Sequence, residues 1–152
     1  MENRVVPRSH DINSSGIRPG RRRCGNRSTD DAGQVTHNLA LGAHGEELAA
    51  QYLRDAGMEI VCRNWRCRYG ELDLIARDAN VTAFVEVKTR TGLGYGIPAE
   101  AVTFDKAQRI RRLALLWLRE QDGPWRQVRF DVVSVLLVTG REPAIEHLKA
   151  VF

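Results

Sequence analysis

Long apolar runs are missing from this chain. The longest, Val132 to Val138, is interrupted by Ser134 and falls far short of the ~20 residues that a membrane-crossing helix needs, so no membrane partner is expected. Cysteine is scarce as well. Cys24, Cys62 and Cys67 are an odd number at spacings that match no zinc pattern, and a site built from Cys62, Cys67 and His44 would be a poor one. Reduced thiols and a cytoplasmic setting are the better reading. The N-terminus lacks the apolar core of roughly 7 to 15 residues that an export signal carries. Charge of one sign is also weak outside the first residues. Residues 1 to 36 hold seven arginines against four acids, while the remainder is nearly neutral, with sixteen Lys and Arg against fifteen acids. The overall charge of +4 is therefore a property of the tail, where a basic arm adds non-specific affinity for phosphate. That tail mixes Arg, Ser, Gly, Asn and Asp without helical or strand periodicity, and it is expected to be disordered. It reads as a nucleic-acid-contacting arm or as a variable extension. Residues 37 to 152 are expected to form one domain, long enough for a core without disulfide or metal staples.

What is present centres on Gly70 to Arg90, which reads GELDLIARDANVTAFVEVKTR. Alternate strand residues point to opposite faces. Asp78-Ala79-Asn80-Val81 is turn-like, because Asp and Asn tolerate positive φ, so an antiparallel hairpin is expected with Asp78 opposite Val81. That register places Asp73 opposite Glu86 and Glu71 opposite Lys88. Two carboxylates ~5 Å apart repel by roughly 3 kcal/mol at an effective dielectric near 20, and like charges facing each other destabilise a sheet. A divalent cation reverses that sign, since converging hard oxygens are what Mg²⁺ or Mn²⁺ takes. The plainer alternative is that both acids lie on a solvated face and that one of them pairs with Lys88 or an arginine.

An acid on one strand followed by Glu-Val-Lys on the next resembles the PD-(D/E)xK motif of restriction-endonuclease-like nucleases, with Asp73, Glu86 and Lys88 on the motif positions. GELDLIA, FVEVKTR and the pieces around them look more closely like the YraN-type family of uncharacterised proteins, which is similar to Holliday junction resolvases in fold. The likeness runs from about Leu41 to Phe152. It implies an α/β, restriction-endonuclease-like fold with a central mixed β-sheet flanked by helices. It also carries over Glu46, in a GxxGE pattern, as a helix acid pointing at the metal site. Asp73, Glu86 and Glu46 would then hold Mg²⁺ or Mn²⁺, and Lys88 would act on the reacting phosphate.

The flanking chain supplies the remaining candidates. Leu41, Gly45, Leu48, Ala49, Tyr52, Leu53 and Ala56 recur at helical spacing, with Gly57 as a stop, and Gly42 and Gly45 on that helix suggest close approach to another backbone. Met58 to Trp65 reads as a strand. After it, Arg63, Arg66, Arg68, Trp65 and Tyr69 make a basic and aromatic cluster suited to phosphates and unpaired bases, or simply a solvated edge. Thr89 to Gly96 reads as a glycine loop, either a mobile flap beside the site with Arg90 and Tyr95 facing substrate or an ordinary connection. Thr103 to about Arg119 is a helix with Thr103 as N-cap, burying Ala107, Ile110, Leu113, Ala114, Trp117 and Leu118. Lys106, Arg109, Arg111, Arg112 and Arg119 lie off that face. Arg66, Arg90, Lys106 and Arg109 are the candidate nucleic-acid contacts. Gln127 to Val138 and Ala144 to Leu148 are strands, and Asp131 is expected to stabilise the sheet or to orient Lys88.

The function these features favour is a metal-dependent nuclease acting on DNA before RNA, with a homodimer left open. Its rival is a non-catalytic nucleic-acid-binding protein that kept the fold.

Overall fold

A computed structural model describes residues 33–92, 103–122 and 127–152, with side chains from residue 38 onward. The expected tail up to residue 32, and Tyr95 of the glycine loop, lie outside the described residues. The first helix, α1, spans Gly33–Asp55. It begins well before Leu41 and takes the last four residues assigned to the tail, because no proline or glycine interrupts residues 34 to 41. It ends in a Schellman arrangement: Gly57 takes φ +86°, Gly57 N–H donates to Arg54 O and Met58 N–H to Leu53 O, both at 2.9 Å. Such a positive φ suits glycine at this position.

Strands β1 (Glu59–Cys67), β2 (Gly70–Asp78) and β3 (Val81–Thr91) follow, then helix α2 (Phe104–Arg119) and strands β4 (Gln127–Leu137) and β5 (Ala144–Leu148). They form one five-stranded sheet in sequence order. β3 and β4 are parallel and the other pairs antiparallel, which follows from the links. A tight turn can join only antiparallel neighbours, whereas a parallel pair needs a crossover, here α2. The N-cap of α2 is Thr103, whose Oγ1 accepts from Lys106 N–H at 3.3 Å.

Each helix covers one face of the sheet. On the first face, Ala49, Ala50 and Leu53 of α1 pack against Leu74, Ala76, Ala83, Val85, Val133 and Val135. The buried stripe of α1 is therefore Glu46, Ala49, Ala50 and Leu53, at i, i+3, i+4 and i+7. Tyr52 and Ala56, expected on that face, are exposed. On the second face Ile110, Leu113, Ala114 and Trp117 of α2 cover Trp65, Leu72, Ile75 and Phe84, the helix positions anticipated from periodicity. Phe84 meets Trp117 edge-on and stacks on Phe130, both with ring centroids 5.7 Å apart. Full burial of an aromatic such as Phe84 contributes about 1.5 to 3 kcal/mol.

The β2–β3 turn has the expected two-residue form, and Asp78 pairs with Val81. The positive φ falls on Ala79 (51°) rather than on Asn80. From there the register runs to Leu74 opposite Val85 and stops, although β2 continues back to Gly70 and β3 onward to Thr91. The two strands part at that point. β2 stays paired with β1 through Cys67 opposite Gly70, and β3 stays paired with β4 as far as Thr91 opposite Leu137. The facing of Asp73 with Glu86, and of Glu71 with Lys88, thus lies beyond the end of the ladder.

Asp131 does not orient Lys88. It is fully buried and accepts from Arg129 Nε at 2.9 Å, from Ala150 N–H at 2.9 Å and lies 2.9 Å from His147 Nε2. Burial alone would raise its carboxyl, but these partners outweigh burial and hold it below the usual carboxylate range. It ties the beginning of β4 to β5 and to the residues that follow.

Candidate active site

The parting of β2 from β3 builds the site. Val87 N–H, which a longer ladder would give to β2, donates instead to Asp73 Oδ2 at 2.9 Å. The carboxylate caps the freed backbone group, and it stays in the gap. Burial pushes the Asp73 carboxyl up to about 7, and Glu86 and then Glu46 add to the rise while the Val87 N–H opposes it. Asp73 of β2 therefore feels an acid from β3 and one from α1.

Glu46 arrives from α1. It is 8% exposed and sits on the core-facing stripe of the helix, where a solvated glutamate would not be placed. Its carboxylate accepts from Asn64 Nδ2 of β1 at 2.9 Å. Gly45 makes this position available: a Cβ there would fall 1.8 Å from Thr89 Oγ1, so only glycine lets α1 come this close to β3. Gly42, paired with it in the sequence reading, has open space around it. A cleft of about 260 Å³ borders Glu46 and is lined by Asn38, Leu41, Gly42, Val87 and Thr89.

Glu86 and Lys88 lie on the α2 side of β3, the face of Phe84. Glu86 is bound by Lys106 Nζ of α2. Lys106, read from the sequence as an outward phosphate contact, therefore stands inside the site. Burial would lower its ammonium, but Glu86 outweighs burial and holds it above the ordinary lysine range. Lys88 shifts the other way: burial, then the adjacent Lys106 amine, lower it, with Glu86 opposing. Two lysines of opposite tendency thus flank one carboxylate.

Among the other candidates, Arg66 pairs with Glu71 at 2.9 Å. Arg90 belongs to β3, and Arg109 is exposed on α2. Asn64 was missed. Its φ of 50° breaks the alternation of β1, and an Asn within a strand is the residue type that tolerates this, which is the signal that could have found it. Its Oδ1 is buried with no hydrogen-bond partner, one more oxygen beside Glu46. This all-oxygen set fits Mg²⁺ or Mn²⁺ better than zinc. As the side chains stand, no three His, Cys, Asp or Glu among the described residues are close enough together to hold an ion.

A mixed five-stranded sheet with one helix on each face is an α/β architecture of the restriction-endonuclease-like kind. The chain belongs to the Uncharacterised protein family UPF0102, whose sequence model matches residues 45–135, and this is the YraN-type family its motifs resemble. It is 82% identical over 119 residues to a UPF0102 protein of Nocardia farcinica, covering 78% of this chain and 94% of the relative. A Rhodococcus opacus relative is 63% identical over 118 residues, 78% of this chain and 100% of the relative. One from Mycolicibacterium smegmatis is 54% identical over 113 residues, with 73% and 91% covered. The matched segment encloses Glu46, Asp73, Glu86, Lys88 and Lys106.

Among the described residues, no helix is long and apolar enough to cross a membrane.

Proposed function

We propose that this chain is a metal-dependent phosphodiesterase acting on DNA, with branched and single-stranded forms as the first substrates to examine. The observation that carries this is the buried Asp73 carboxylate at the parting of β2 and β3, pushed up to about 7 by burial first and then by the nearby charges of Glu86 and Glu46. A purely structural sheet gains nothing from acids held this way. Asp73, Glu86 and Glu46 would hold Mg²⁺ or Mn²⁺, and when bound such an ion supplies a more acidic water and neutralises charge on a phosphate. Lys88, a half-buried amine with a lowered proton affinity, orients the attacking water and contacts the charge that develops. One such contact typically contributes ~100- to 1,000-fold in rate. Arg66, Arg90 and Arg109 supply phosphate contacts around it.

The test is cleavage of branched, nicked and single-stranded DNA with Mn²⁺, run beside Asp73→Ala and Lys88→Met. Wild-type cleavage abolished by Asp73→Ala is expected. Lys88→Met should lose far more rate than DNA affinity. A wild type that binds DNA but cleaves none of these substrates would make it a binding module instead, a reading favoured by the ammonium of Lys106 already compensating Glu86.

A further inference from the structure

The described arginines differ in their partners. Arg54 and Arg63 meet Glu47, Arg66 meets Glu71, Arg77 meets Glu59 and Arg129 meets Asp78 and Asp131. Arg68, Arg109, Arg111, Arg112, Arg119 and Arg141 pair with no carboxylate among the described residues. Two of these, Arg68 and Arg112, share one ring. The guanidinium carbons of Arg68 and Arg112 each lie 4.6 Å from the centroid of Tyr69, and Arg68 also bonds the Tyr69 hydroxyl. Two like charges gathered on one aromatic side chain at the surface repel each other, and cation–π attraction at an exposed site offsets only part of that repulsion. An anion bound to both would remove that repulsion.

The stack is anchored to α2 from below. Gly70, next to Tyr69, lies so close to the helix that a Cβ there would come within 3.3 Å of Leu113 Cδ1. The β1–β2 turn is thereby fixed beneath the helix that also carries Lys106 to Glu86. Arg109 and Arg112 are exposed on α2, three and six residues beyond Lys106, which turns in to Glu86. At 1.5 Å rise per residue, Arg112 lies ~9 Å along the helix from Lys106, between one and two nucleotide steps.

We propose that Arg68, Tyr69 and Arg112 form a phosphodiester clamp that grips the nucleic-acid backbone one to two nucleotides from the carboxylates. Tyr69 holds the two guanidinium planes in place, and their outer N–H edges take phosphate oxygens in the bidentate manner arginine favours. The clamp rests on the nuclease reading only for where the strand leads; its own binding needs neither metal nor cleavage.

The test is fluorescence anisotropy in EDTA with a 20-nucleotide single strand, the matching duplex and the matching RNA, over a range of salt. Wild type is compared with Arg68→Gln/Arg112→Gln, Tyr69→Phe and Tyr69→Ala. The double variant should bind roughly tenfold more weakly, and its log–log salt slope should be shallower by about two. Tyr69→Phe keeps the ring and should bind nearly as wild type. Tyr69→Ala, at an exposed turn, should keep its melting temperature and lose affinity as the double variant does. DNA and RNA bound alike support a backbone clamp, whereas binding by wild type with an unchanged slope in the double variant overturns it and leaves the nuclease reading intact. The predicted slope change without any cleavage in Mn²⁺ keeps the clamp and overturns the nuclease. No binding of any nucleic acid overturns the clamp.

Discussion

Lys106 shows how much one side chain decides. Its ammonium compensates Glu86, so an incoming divalent ion must compete with a charge the protein already carries. A unit charge ~6 Å away opposes a divalent ion by about 5 kcal/mol at an effective dielectric near 20. Lys106→Met should therefore tighten Mn²⁺ binding at least tenfold by calorimetry, and it should lower the metal-free melting temperature because Glu86 is left half-buried without a partner. Weaker Mn²⁺ binding would mean that Lys106 helps to build the site. Ala79 is a second residue with a local penalty. An L-residue with φ near +50° is strained by roughly 1 to 2 kcal/mol, and glycine is the usual occupant of the first turn position here. After the entropy glycine adds to the unfolded chain, Ala79→Gly should still raise stability by about 0.5 kcal/mol in urea unfolding. A loss instead would show that the turn is not strained.

Among the elements, α1 is placed by a single missing side chain. Gly45→Ala would drive a methyl into Thr89, and overpacking of this kind costs typically 1 to 3 kcal/mol. Because Glu46 is the next residue, Mn²⁺ affinity should fall together with melting temperature. The change should be milder in a Thr89→Ala background, which removes the nearest atom. Equal losses in both backgrounds would place the cost elsewhere. The hairpin register was legible because Asp78 to Val81 marks its own turn, and α2 because its apolar positions repeat cleanly. The face of α1 was less so: alanines at 49, 50 and 56 are alike in sequence, and contact with the sheet, not composition, selects two of them. The parting of β2 and β3 leaves no mark in a pattern of alternating residues, since each strand continues with its other neighbour. Likewise nothing in a charged helix face says that Lys106 turns inward while Arg109 stays out. Glu46 entered through the GxxGE resemblance, and its i, i+3, i+4, i+7 relation to Ala49, Ala50 and Leu53 stands out only once the sheet has fixed the buried stripe of α1.

For the whole molecule, the raised Asp73 links stability to pH. Its carboxyl titrates near 7 when folded, against an ordinary 3.8. Below about pH 4 both states hold the proton and the acid costs nothing. As pH climbs from there toward 7 the unfolded chain ionises first, so stability falls, by up to ~4 kcal/mol at about 1.4 kcal/mol per unit. Asp131 and Asp78, lowered by their partners, act with the opposite sign and chiefly in more acid solution. Between pH 5 and 7.5 the metal-free protein should become less stable to urea as pH rises, and Asp73→Asn should flatten that fall. A slope that survives the substitution would assign it to another group. The hydrogen bond from Val87 N–H to Asp73 gives the same molecule a spectroscopic gauge. This amide is held by a carboxylate and not by a neighbouring strand, so whatever draws the carboxylate aside releases it. In a nitrogen–proton correlation spectrum, the Val87 cross-peak should move early in a Mg²⁺ titration and exchange faster with deuterium, while those of Val133 and Val135 hold still. Occupancy of the centre could then be followed from one backbone signal, with no substrate present and no turnover.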